Sequence, residues 1–236
     1  MDSDSFGSCG AVHRHPIPTM SPITTVGIDV GGARKGFHAV ALTAGAYAGQ
    51  LATADVSELT HWCRSVVRAS VIAIDAPCRW SLDGRPRPCE RELMARGIRC
   101  FASPTRQKAL DHPTNYFGWM LQGEALYREL EGGAPEQAYP LLRTLPLRGR
   151  VCFETFPHAI TWHLRGGQAR AAEKLVQRRE LLDQAGIDRA PLTSIDLIDA
   201  ALCALTAQVV ASGGECASYG EPETGWLVVP RAPGSR

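Results

Sequence analysis

Three short apolar runs of this 236-residue chain each close on an acid, and a fourth acidic pair sits in an otherwise apolar stretch. Asp29 ends TTVGID, Asp75 ends VIAID and Glu154 ends VCFE, while Asp196 and Asp199 fall in SIDLIDAALCALTA. Carboxylates are seldom buried unless they are paired or bind metal, so acids at the ends of core segments ask for a partner. Carboxylates gathered at one point repel one another, and divalent cations relieve that repulsion. Hard oxygen ligands suit Mg²⁺ or Mn²⁺, and one or two such ions are the expected cofactor. Two ions can clamp the attacking and leaving oxygens of a phosphodiester, the chemistry this residue pattern would serve. Asp29, Asp75, Glu154 and Asp199 are therefore the expected catalytic acids, with Asp196 joining them as a fifth metal ligand.

Each acid also has a plain structural reading. Asp196 follows Ser194 in the first turn of a helix, where an acid complements the dipole. Asp75 before Ala-Pro and Asp29 before Gly-Gly suit turns, and Glu154 suits the cap of a helix starting near Pro157. All of these holding at once is a weaker account than convergence.

The elements that would position these acids follow from periodicity. Residues 23–30 form a β-branched run stopped by Gly31-Gly32, with FHAVAL (37–42) as the returning strand and 49–54 as a third. Leu59, Trp62, Cys63 and Val66 predict a helix over 56–69, and VIAID a strand buried on both faces. Further helices are predicted over about 88–96, 116–131, 168–184 and 195–211, with strands at 151–154 and 226–229. Asp196 and Asp199, three apart on a helix, share one face. The pattern predicts an α/β fold, a mixed sheet of antiparallel hairpin strands and parallel strands flanked by helices. Ligands of such sheets bind beyond the carboxyl ends of the strands, where the acids lie. The expected organisation is a flexible leader over 1–20 and one domain over 21–236, with a helical and loop insertion at about 79–150.

Composition narrows the class. Twenty-five basic against 24 acidic residues leave a net charge of +1, unlike a tail-type polyanion binder. No run approaches the ~18 apolar residues of a membrane span, and the first twenty residues have no apolar signal core. A soluble cytoplasmic protein with no membrane partner is expected, its oligomeric state open. The eight cysteines show no C-x2-C spacing and read as free thiols. The absence of Walker, dinucleotide-binding and nucleophile-elbow motifs removes P-loop NTPases, Rossmann dehydrogenases and α/β-hydrolases.

GIDVGGARKGFHAVAL, VIAIDAP, RPCERELMARGIRCFASPTR, FETFPHA, and DLIDAALCALTA followed by GWLVVP resemble the DUF429 family over about residues 23–230. That resemblance implies a ribonuclease H-like fold and a predicted metal-dependent nuclease. Members of that superfamily carry acids on the first strand, the fourth strand and a late helix, and Asp29, Asp75 and the Asp196/Asp199 pair match those places. Glu154 has no strict counterpart.

Nucleic acid is the partner such chemistry implies. Residues 79–108 hold eight basic and three acidic residues, and 165–179 five basic and one acidic. Two positive segments on a neutral protein suit a phosphate-tracking rim, with Arg34, Arg85, Arg87, Arg91, Lys174 and Arg178 as candidate contacts. Two alternatives stand beside the nuclease reading. One is a non-catalytic nucleic-acid or protein binding module on the same fold. The other is an actin-like or sugar-kinase-type phosphotransferase, for which one acid-hairpin unit is too little.

Overall fold

The computed structural model describes residues 22–147, 149–232 and 234. Seven strands form one mixed sheet: β1 (Thr24–Val30), β2 (Phe37–Thr43), β3 (Ala46–Thr53), β4 (Val71–Asp75), β5 (Val151–Glu154), β6 (Cys216–Glu221) and β7 (Gly225–Pro230). Their order is β3-β2-β1-β4-β5-β7-β6. The β1–β2–β3 meander and the β6–β7 hairpin are antiparallel, and β1, β4, β5 and β7 run parallel. This is the open mixed α/β sheet expected from the sequence, consistent with the ribonuclease H-like class. Among the described residues no helix is long and apolar enough to cross a membrane.

Helices cover both faces, and the alternation of side chains along each strand divides the core accordingly. Val71, Ala73 and Phe153 pack with Ile198 and Leu202 of α7 (Ile195–Ala211), with α5 (Pro157–Leu164) and α6 (Lys174–Gln184) alongside. Val26, Ile28, Ile72 and Ile74 pack on the other side with Leu59 of α1 (Val56–His61) and Leu126 and Leu130 of α4 (Gly118–Glu131). Strands buried on both faces have no polar side to display, so they read as continuous apolar runs. Between β4 and β5 the chain also forms α2 (Pro88–Ala95) and α3 (Arg106–Leu110).

Several boundaries differ from the periodic reading. The helix expected over 56–69 widens after His61, where the Val67 N–H donates to the Trp62 carbonyl five residues back. The helix expected from residue 168 starts at Lys174, because Gly166 and Gly167 both take positive φ and turn the chain first. β6 and α3 were not anticipated. CASYGE carries little apolar alternation, and five residues are too few for a helical period to register. The leader expected over 1–20 lies outside the described residues.

Candidate metal centre

The site is built on the carboxyl ends of β1 and β4. These parallel neighbours pair Asp29 with Asp75 in register, one step beyond Gly27 with Ala73. Both acids therefore leave the face covered by α7. That helix lies very close to β1: a Cβ on Gly27 would sit 2.0 Å from the Ala200 carbonyl oxygen and 2.1 Å from the Ala204 nitrogen. Only glycine admits such an approach. The small residues Ala200 and Ala204 complete it, and the Thr25 hydroxyl donates to the Ala204 carbonyl at 3.3 Å. Ser194 caps α7, its hydroxyl accepting from the Leu197 N–H at 3.2 Å. Docking at Gly27 sets Asp199, one residue before Ala200, against the end of β1.

A hairpin turn supplies the cation already present. The Gly31 N–H donates to the Gly36 carbonyl at 2.8 Å, and the Gly36 N–H returns to the Gly32 carbonyl at 2.9 Å, closing a tight loop. A Cβ on Gly31 would strike the Lys35 side chain at 2.7 Å, so the bare glycine gives that side chain its path back over the strand end. Lys35 Nζ lies 2.5 Å from an Asp196 oxygen and 3.7 Å from Asp29 Oδ2. Arg178 of α6, itself buried, pairs with Asp199. His38, the register partner of Asp29 on β2, completes the near face. Ligand atoms of Asp29, His38 and Asp196 all lie within 4.8 Å of one another, a grouping able to hold a metal ion.

The electrostatics are those of an undercompensated acidic cluster. Burial pushes the Asp29 carboxyl up to about 7; Lys35 opposes this, while the charges of Asp199 and Asp196 add to it. Asp75 is raised well above its ordinary value, first by burial and then by Asp29 and Asp199. Asp199 is raised by burial despite Arg178. Burial lowers the His38 imidazole, leaving it neutral and competent to ligate. Three atoms are buried without a hydrogen-bond partner here: the Arg178 Nε donor, and the two possible ligand atoms Asp29 Oδ2 and His38 Nδ1. A buried polar atom left unpaired is costly, so the latter two are poised for a ligand.

Glu154 does not join this group. Its register partner is Ile74, not Asp75, so it projects to the opposite face of the sheet. There Arg87 clasps it with two hydrogen bonds of 2.8 and 2.6 Å, and the Cys78 N–H donates a third at 2.8 Å. Arg87 also donates to Glu90 at 2.8 Å, and Glu90 accepts from the Ser103 hydroxyl at 2.6 Å. Arg87, expected as a substrate contact, is thus a buried structural cation with its donors committed. Among the other expected contacts, Arg34 is exposed in the hairpin turn. Arg85 and Arg91 line a cavity of about 160 Å³ with Trp80, Leu82 and Thr224, apart from the four aspartates. Lys174 and Arg178 do flank the acids.

His38 and Lys35 are the residues that composition and spacing did not single out as part of the cluster. The signal was the hairpin itself: a six-residue turn closing on Val30 and Phe37 puts position 38 opposite position 29.

The chain belongs to the DUF429 family, described as proteins of unknown function, whose model matches residues 27–224. No curated protein and no solved structure matches it.

Proposed function

We propose that the protein is a metal-dependent phosphodiester hydrolase, a nuclease acting at the end of β1 and β4. The observation that supports it most is the Asp29 carboxylate. One of its oxygens is buried and unbonded, and it stands among Asp75, Asp196 and Asp199, with the Lys35 ammonium 3.7 Å away and Arg178 beyond it as the opposing charges. The donor set fits Mg²⁺ or Mn²⁺, and the imidazole of His38 favours a transition metal, a pair of demands that Mn²⁺ meets. Asp29, Asp196 and His38 would hold one ion, with Asp75 and Asp199 available to a second. Bound ions of this kind lower the pKa of an attacking water and offset charge on the leaving oxygen.

The chain's own residues do the rest. Arg178 fixes the Asp199 carboxylate in place. Lys35 screens the acids until a cation arrives, because its ammonium lies between Asp29 and Asp196. The β-strand framework keeps the Asp29 and Asp75 carboxylates side by side without reorganisation.

Calorimetric titration of the protein with Mn²⁺, beside Asp29→Asn, tests the reading. Binding of one or two ions that disappears in Asp29→Asn, together with Mn²⁺-dependent cleavage of nucleic acid lost in the same variant, is the expected result. Cleavage retained by Asp29→Asn would overturn it.

A further inference from the structure

Two adjoining cavities open beside the acids. One, of about 420 Å³, is lined by Asp75, Arg99, Phe101, Trp119 and Phe156. The other, of about 400 Å³, is lined by Arg99, Phe156, His158, Lys174 and Arg178. Arg99 and Phe156 are common to both, so they form one path with an aromatic half at Asp75 and a basic half at the partner of Asp199. Each half is within the range of about 300–1,000 Å³ usual for small-molecule sites.

The aromatic half does not end at the cavity mouth. Phe101 is 54% exposed and lies 5.8 Å, centroid to centroid, from Tyr116, which is 52% exposed. Tyr116 stacks in turn on His112 at 5.4 Å. Two large rings left in water at one place are a poor choice for a surface with no ligand. Carboxylates alone would draw only cations. Arg99 and Lys174 instead supply the positive charge that a phosphate backbone needs to approach an acidic centre.

Resting on the hydrolase reading above, we infer that this path binds single-stranded nucleic acid. One unpaired base inserts among Phe101, Trp119 and Phe156, and the adjoining phosphates run along Arg99 and Lys174. Stacking on aromatic rings recognises any base by its π-face. A duplex keeps those faces covered by its own neighbours, so a base must be unpaired to enter. Asp75 lines the same cavity as these rings and therefore lies beside the inserted nucleotide.

The test is fluorescence anisotropy with the full chain in EDTA, which keeps binding separate from cleavage. The probes are labelled oligo(dT), oligo(U), a base-free strand of the same length and an oligo(dT)·oligo(dA) duplex. Both single strands should bind at least about tenfold more tightly than the duplex or the base-free strand, in line with the stacking contribution of a base. Phe101→Ala should bring oligo(dT) close to the base-free strand, and its exposed position leaves folding intact. Trp119→Ala provides the second variant. Lys174→Gln should weaken all probes alike and lower the salt slope by about one.

Equal binding of the base-free strand and oligo(dT), or no binding of any probe, overturns the inference. Base-dependent binding without Mn²⁺-dependent cleavage would sink the hydrolase reading and leave the base site standing. Cleavage of duplex and single strand alike, with no base dependence in binding, would do the reverse.

Discussion

Asp29 and Asp75 are register partners on parallel neighbouring strands, and their carboxylates leave the same face at the same level. Neighbouring strands lie only about 4.8 Å apart, so two charges at that separation in a buried setting cannot both be tolerated without a cation. The ammonium of Lys35 offsets part of this, yet burial, joined by the neighbouring acids, still leaves the Asp29 and Asp75 carboxyls raised.

Lys35 competes for the place a divalent ion would take. Lys35→Gln should therefore bind Mn²⁺ about fivefold more tightly, matching about 1 kcal/mol for a half-exposed ion pair. The metal-free variant should be less stable than the parent. Calorimetry checks the first and thermal unfolding in EDTA the second; weaker Mn²⁺ binding would mean that Lys35 helps organise the acids rather than occupying their centre.

Gly27→Ala should destabilise the protein by about 3 kcal/mol, because the added methyl meets the α7 backbone and not a movable side chain. For a chain of this size that is a Tm fall of about 6–12 °C. Mn²⁺ affinity should fall as well, since a displaced α7 carries Asp196 and Asp199 away from β1. An unchanged Tm would show that α7 packs less closely than 2.0 Å implies.

Glu154→Gln separates structure from catalysis. It leaves Arg87 short of its main partner in the core and should cost up to about 3–5 kcal/mol, read by denaturant unfolding. The number of Mn²⁺ ions bound should not change. A lost ion would make Glu154 a ligand after all.

His163 should give the protein an acid sensitivity unrelated to the aspartates. Its ring nitrogen shares a 2.6 Å hydrogen bond with the Tyr219 hydroxyl. Burial, reinforced by Arg96 and Arg231, holds its pKa down to about 4. The folded state resists protonation that the unfolded chain accepts near 6.5, so this contribution is intact above about pH 6.5 and is lost as pH falls toward 4. Unfolding between pH 7 and 4.5 should be less pH-dependent in His163→Gln. An identical slope in the two proteins would discard the assignment.

What could be read from residues alone was set by local physics. The range of α7 followed from an uninterrupted apolar period behind a serine cap, and the ends of β1, β4 and β5 from β-branched runs closed by acids. Asp29, Asp75 and Asp199 were legible as a group because an acid in a core segment is anomalous wherever the chain goes. The faces of the sheet were not legible. Whether Glu154 points with Asp75 or away from it depends on a one-residue register between β4 and β5, and a shift of one residue reverses every side chain. The partner that occupies Glu154 is Arg87, 67 residues earlier in the chain, and no local pattern announces a pairing at that distance. His38 and Lys35 became part of the cluster only when the hairpin folded back on β1. The sequence determined which residues carry charge; the tertiary structure decided which charges face each other, because strand register and the approach of α7 at Gly27 are properties of packing between distant segments.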